Sequence, residues 1–264
     1  MGKPENKRSS EINSNSKTAM QYEKSYQIMH MEKPVATVSL AGKAEIINEK
    51  FMPYDLYLEE DYSDNDIDIR INNLNNFYHW CASRVLSLDR KYAKEILNSI
   101  GAVQAVTDRD RAEIALSYHC VSLTDVFWVK KGREHISFSQ INLYDNTLGN
   151  AFVEISLRGR QMTVTNQELA APDLSTKGCF PKAWIRDDKG FRLLKDGGDD
   201  AVRRELLASE ICQCFDVPQV RYQETEFEGE KVTESSLITS KEYSMVSKFA
   251  FDVYACNHDL DTVS

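Results

Sequence analysis

Few residues in this chain stand in patterns suited to chemistry. Six cysteines fall at positions 81, 120, 179, 212, 214 and 256, with no CxxC pair and no histidine at ligand spacing beside them, so a metal site is not expected. Cys212 and Cys214 lie two apart on a helical stretch, where side chains point in different directions, and read as idle thiols. His79, His119 and His135 are scattered, and no GxSxG, HExxH, EF-hand or full Walker loop accompanies them. Hydrolase, metalloprotease and classical NTPase readings therefore lack support. What remains is the run Ser175-Thr176-Lys177-Gly178-Cys179-Phe180-Pro181-Lys182-Ala183, together with Lys195 and Glu205 downstream. Taken singly, Lys195 is a strand-end lysine with its stem along apolar surface, and Glu205 is a helix-surface carboxylate.

Composition narrows the partners. The 264 residues are 42% hydrophobic and 28% charged, enough apolar material for one large or two modest domains. Acidic residues outnumber Lys and Arg 41 to 32, a net charge of −9. Any hold on a nucleic-acid backbone would have to come from a local patch. Lys130-Lys131-Gly132-Arg133 reads as a hairpin tip and Arg203-Arg204 as a solvated helix face, so direct nucleic-acid binding is not expected. No apolar run approaches the roughly 20 residues of a membrane helix, and the N-terminus lacks the apolar stretch of a secretory signal. A cytoplasmic location away from membranes is the expectation.

The elements that must position these residues follow from periodicity. Residues 1–32 are polar and aperiodic and read as a disordered tail. Residues 33–165 read as an α+β N-terminal domain. It opens with a hairpin over Val35-Ala36-Thr37-Val38-Ser39-Leu40 and Ala44-Glu45-Ile46-Ile47. Helices then run from Asn72, from a cap at Ser87 or Asp89 to Gly101, and from Thr107, together suggesting a helical bundle. Asp125 to Lys130 reads as a strand, Ile136–Leu148 as a short helix or an ordered loop, and Asn166–Ser175 as a connector.

From Ser175 the expected order is loop, strand Lys182–Arg186, turn Asp187–Gly190, strand Phe191–Lys195, helix Ala201–Phe215 capped by Asp199 or Asp200, and an extended run Gln219–Gln223. A turn over Phe227–Lys231 and a strand Glu234–Ser240 complete it. A further amphipathic helix runs from Glu242 through Met245, Phe249, Val253 and Tyr254.

The segment 175–247 resembles the N-lobe of HipA-like serine/threonine kinases, bacterial relatives of the protein-kinase fold whose best-known members are toxins of toxin–antitoxin pairs. The run Ser175–Ala183 is similar to the family's phosphate loop, usually of the kind SxGGxxPKA, here with the single glycine Gly178. Lys195 is similar to its nucleotide-contacting lysine, and Arg204-Glu205-Leu206-Leu207-Ala208 to the helix that carries an acidic partner. Leu237-Ile238-Thr239-Ser240 falls where the family links its lobes.

The resemblance implies an α+β architecture: an N-terminal strand and helical region, a kinase-like N-lobe of antiparallel sheet plus one helix, and over 248–264 the first helix of an incomplete C-lobe. It implies ATP with magnesium as cofactor, held by Gly178 and Lys182 in the loop, by Lys195 oriented by Glu205, and by Leu193 and Ile238 against the adenine. Ser175 and Thr176 would be phosphorylation sites, where added negative charge opposes bound ATP. The family's catalytic Asp, its nearby Asn and its metal-binding Asp are expected well beyond the linker. Asn257-His258-Asp259-Leu260-Asp261 comes too soon to be that loop. The chain is thus expected to bind nucleotide at most, and not to transfer phosphate alone. Two other readings stay open: an interaction or inhibitor module that binds a protein partner through the kinase-lobe scaffold, and a toxin–antitoxin or transcription regulator acting through a partner.

Overall fold

The structure, a computed structural model, describes residues 25–60, 66–102, 107–146, 150–160, 172–188, 190–258 and 260. The fold is mixed α and β, with two antiparallel four-stranded sheets and several helices. The chain divides into two compact units. Met1–Trp80, Phe127–Phe138 and Ser247–Ser264 form the first; Cys81–Val126 and Ser139–Val246 form the second. Among the described residues no helix is long and apolar enough to cross a membrane.

The first unit is built on β1 (Ser25–His30), β2 (Lys33–Ser39), β3 (Ala44–Ile46) and, from much later in the chain, β4 (Phe127–Lys131), in the order β3-β2-β1-β4. The β2–β3 hairpin forms as expected. β1, however, lies inside the segment read as tail, and positions 1–24 of that segment fall outside the described residues. Pro34, a residue that often marks a strand boundary, lies inside a strand here. It sits in β2 opposite Met29, where the ladder shifts register, a place that tolerates a missing N–H. β4 is no hairpin arm with a tip at Lys130–Arg133. It pairs antiparallel with β1, Ile28 opposite Val129, which draws residues 127–138 away from the domain expected over 33–165.

Helix α1 (Ile67–Ser83) covers this sheet with Phe77 and Trp80 fully buried, and Phe77 stacks on Tyr26 with ring centroids 4.9 Å apart. Buried Asn73 ties it to two loops: its amide donates to Gly42 O (3.1 Å) and Glu59 O (2.7 Å), and its oxygen accepts from Glu59 N (2.9 Å).

In the second unit, α2 (Ala93–Ser99) starts at Tyr92, held in left-handed backbone, and neither Ser87 nor Asp89 caps it. α3 (Asp108–Ser117) opens with a capping box between Thr107 and Asp110, as its sequence suggests. α1 belongs to the first unit as far as Trp80, and α2 packs against a later helix. After the short α4 (Phe138–Ile141), that later helix is α5 (Asn150–Arg158). Arg84 stabilises the intervening chain through a bidentate pair with Asp125 (2.9 and 2.6 Å) and a bond to Cys120 O (2.6 Å).

The second sheet runs β5 (Lys182–Asp187), β6 (Gly190–Lys195), β8 (Glu230–Ser236), β7 (Gln223–Phe227), joined by two tight turns and by α6 (Asp199–Cys212). The β7–β8 turn is only Glu228-Gly229, both at positive φ, so β8 begins earlier than the expected Glu234. α6 is capped by Gly198, whose N–H donates to Asp196 Oδ1 (3.1 Å); Asp199 and Asp200 fill its first turn, where negative charge suits the helix dipole. Ala183, Leu194 and Val232 on one sheet face pack with Val153 and Leu157 of α5. The last helix, α7 (Lys248–Asn257), starts at Ser247, whose hydroxyl accepts from Ala250 N (3.1 Å), not at Glu242, and it belongs to the first unit.

Gly42 has φ +80°, and a Cβ there would press into the backbone carbonyl of Arg70 on α1. Gly42→Ala is expected to destabilise the first unit by at least about 2 kcal/mol, through left-handed strain plus the clash, read as a lowered urea midpoint by tryptophan fluorescence.

Candidate functional site

Cross-strand register assembles the polar residues of the second unit. Lys182 lies opposite Lys195, and Lys195 opposite Thr233. Directly opposed residues share a sheet face, so one row carries Lys182, Lys195 and Thr233 while the apolar Ala183, Leu194 and Val232 face α5. The same alternation sets Trp184, Leu193 and Ser235 in the next row of the polar face.

α6 lays Glu205 over this row. Lys195 Nζ donates to Glu205 Oε1 (3.1 Å) and to Tyr222 Oη (2.7 Å), and it sits 4.4 Å from the Tyr222 ring centroid. The second carboxylate oxygen of Glu205 accepts from Thr233 Oγ1 (2.8 Å), which fixes the carboxylate between strand and helix. Tyr222 is anchored in turn by its backbone N–H on Ser209 Oγ (3.1 Å). Burial alone would lower the Lys195 ammonium, but the bonds to Tyr222 and Glu205 outweigh it and hold the group above its ordinary value. Lys195 is a fixed cation.

Lys182 behaves in the opposite way. It is buried, and its Nζ donates to Lys177 O (2.8 Å). Burial, then the positive charges of Arg90 and Lys195, push its pKa down to about 8, while Glu205 opposes them. Its charge is conditional near neutral pH.

The one glycine of the loop before β5 has its N–H engaged. Gly178, at φ +101°, donates its N–H to Ser87 Oγ (3.0 Å), and a Cβ there would collide with the Lys182 ammonium. Lys177 Nζ donates to Val85 O (2.9 Å), Lys91 N to Cys179 O (2.9 Å), and Cys179 Sγ lies 3.4 Å from Asp89 Oδ2. The loop thus packs on the segment Val85–Lys91. Ser175 is buried and Thr176 Oγ1 accepts from Trp184 Nε1 (3.0 Å), so phosphorylation at either requires this segment to open.

Of the residues singled out by sequence, Lys182, Lys195 and Glu205 are brought together and Gly178 sits over Lys182. Leu193 shares their sheet face. Ile238 does not join them: backbone pairing of Leu237 N with Phe191 O (3.1 Å) continues the ladder, parity gives Leu237 to the polar face, and Ile238 is 56% exposed.

Sequence reasoning missed Arg90 and Asp173. Arg90 is buried, donates to Asp173 O (3.2 Å) and to Lys182 O, and lies 4.0 Å from the Asp173 carboxylate. Asp173 Oδ1 accepts from Trp184 N (3.4 Å), so this pair pins the start of β5. Complete burial raises the Asp173 carboxyl to about 7 against the pull of Arg90. No sequence signal marks either residue, since their partners lie far along the chain.

Among the described residues no group of three or more His, Cys, Asp or Glu could hold a metal ion. No protein-family model, no curated protein and no solved structure matches the chain.

Because the folded state raises the Asp173 pKa, it binds that proton more tightly than the unfolded chain does. The stability this group contributes is full below about pH 4 and is lost as pH rises through about 7. Asp173→Asn should abolish that decline, so that wild type minus variant stability falls by more than about 1 kcal/mol between pH 4 and 7, measured by urea unfolding at each pH.

Proposed function

We propose that residues 175–247 form the nucleotide-holding lobe of a HipA-like serine/threonine kinase, binding the phosphates of ATP with magnesium along the Lys182–Lys195–Thr233 row. The observation that carries this reading is the 3.1 Å ion pair between the strand-end Lys195 and Glu205 of α6. Phosphoryl groups need a cation that a rigid strand holds and an acidic partner orients, and here the carboxylate is itself fixed by Thr233. Lys182 adds a second cation. An anion beside it would supply the counter-charge that Glu205 supplies to Lys195. Leu193, two residues before Lys195 on the same face, offers apolar surface to a base. These residues account for binding and orientation; none is assigned a catalytic role, and phosphoryl transfer is not attributed to them.

A second reading, an interaction module on the same scaffold, is favoured by a separate feature. Leu207, Ile211 and Phe215 recur at four-residue steps along and just beyond α6 and are 55%, 53% and 61% exposed. Contiguous exposed apolar surface of that kind marks contact sites for other proteins.

Calorimetric titration with Mg-ATP separates the two. Nucleotide binding predicts saturable heat that weakens at least tenfold in Lys195→Ala; no binding up to millimolar ATP sinks the nucleotide reading and leaves the α6 surface as the functional one. The Lys182 environment adds a second expectation. Since a bound anion raises a pKa that starts near 8, binding at pH 8 takes up protons. Affinity is then full below about pH 8 and falls as pH rises further. Titrations at pH 8 in two buffers of different ionisation enthalpy will give the proton count.

A further inference from the structure

The first unit contains a cavity of about 140 Å³ between the segment Ile46–Leu58 and helix α7. That is smaller than the roughly 300–1,000 Å³ that drug-sized ligands occupy, so it suits a head group rather than a whole cofactor. Tyr54 and Tyr254 meet in its wall edge to face, centroids 4.4 Å apart and planes at 78°. His258, one turn along α7, stacks on Tyr254 at 4.0 Å, with its Nδ1 2.8 Å from Tyr254 O. Both rings line the space, and Tyr57, 54% exposed, adds a third phenol. Met52, Pro53, Leu56, Leu58 and Val253 supply apolar lining.

The charge of the lining selects the ligand. Its acidic side chains are Glu49 and Asp55, and it includes no lysine or arginine. Asp55 is held in place by the Trp80 indole N–H (3.1 Å). Aromatic faces carry negative quadrupole potential and attract a cation within about 6 Å, and two carboxylates strengthen that field. Apolar lining disfavours a strongly hydrated ion such as sodium or a primary ammonium, whose N–H groups would lose their hydrogen bonds with water. It accepts methyl groups.

We infer that this cavity is a binding site for a methylated ammonium head group, held between the Tyr54–Tyr254 corner and the carboxylates of Glu49 and Asp55. The same chemistry is carried by a free quaternary amine such as choline and by the side chain of a trimethylated lysine.

The test is a titration of the full chain, followed by NMR shifts of the α7 amides. The probes are choline, N-acetyl-trimethyllysine amide, N-acetyl-lysine amide, and 3,3-dimethyl-1-butanol, the neutral isostere of choline, all at constant salt. Saturable shifts with the methylated cations, at least tenfold weaker with the neutral isostere and with unmethylated lysine, are expected. Tighter choline binding would identify a free amine as the ligand, and tighter trimethyllysine binding a side chain. Tyr254→Leu should weaken binding at least tenfold. Because that change removes packing, Glu49→Gln, an exposed and nearly isosteric substitution, is paired with it and should weaken binding severalfold without shifting the melting temperature. Equal binding of the neutral isostere, or no saturable shift with either methylated cation, overturns the assignment.

Discussion

The register of β5, β6 and β8 is the constraint on which the candidate site depends. With Lys182, Lys195 and Thr233 directly opposite one another, alternation assigns the cations to one sheet face and Ala183, Leu194 and Val232 to the face that α5 covers. A one-residue slip of β6 would drive Lys195 toward that core and Leu194 toward Glu205. Several contacts prevent it. The short turn that leaves Asp187 opposite Gly190 fixes one end of the β5–β6 ladder, and Asp196 N on Pro181 O (2.9 Å) closes the other. Arg158 then bonds Asp196 and Phe227 O (2.8 Å), tying α5 to strand ends from both hairpins.

The two lysines of the row show how neighbours, more than burial, decide charge. Both are largely buried, and burial penalises the ammonium in each case. Lys195 has a carboxylate and a phenol within bonding distance and is pushed up. Lys182 has a carbonyl for a partner and two cations nearby, and is pushed down. On adjacent strands, the sheet therefore holds a permanent cation beside one whose charge depends on what arrives. A site with only permanent cations would attract anions at any pH, whereas this one carries its full charge only below about pH 8.

Local signals were legible in the sequence, and long-range ones were not. The β5–β6 hairpin could be read from its turn residues and alternation, and α3 from Thr107 and Asp110; the Lys195–Glu205 pairing was implied only by the family resemblance, since each residue taken singly reads as a surface group. Arg90 and Asp173 could not be read, because an arginine in a polar stretch looks solvated until the chain 83 residues away encloses it. β1 was missed because residues 1–32 read as polar and aperiodic, and its second partner, β4, lies far along the chain. The start of α7 was misplaced because Met245 and Phe249 keep helical spacing, yet Met245 donates its N–H to Thr124 O (2.7 Å) and the helix waits for the Ser247 cap. Periodicity reports which positions could share a face. Caps and distant hydrogen bonds decide where the backbone turns helical.

Net charge by itself argues against an anion site in a chain carrying −9, but distance points the other way. At physiological ionic strength exposed charges are screened over about 8 Å, so acidic residues scattered across the surface contribute little at the sheet row. Arg90 and Lys195 both lower the Lys182 pKa and both adjoin that residue, Lys195 as its cross-strand partner and Arg90 through its bond to the Lys182 carbonyl oxygen. Against them stands Glu205, already occupied by Lys195 and Thr233. With the Asp173 carboxyl beside Arg90 also counted, the local sum is one to two positive charges in a partly dehydrated setting, where interactions are screened less than at the open surface. An incoming polyanion would therefore be governed by the row and hardly at all by the average. For the same reason the carboxylates rimming the aromatic cavity of the first unit act on their own ligand, because the decisive charges at each site are those within a few ångströms.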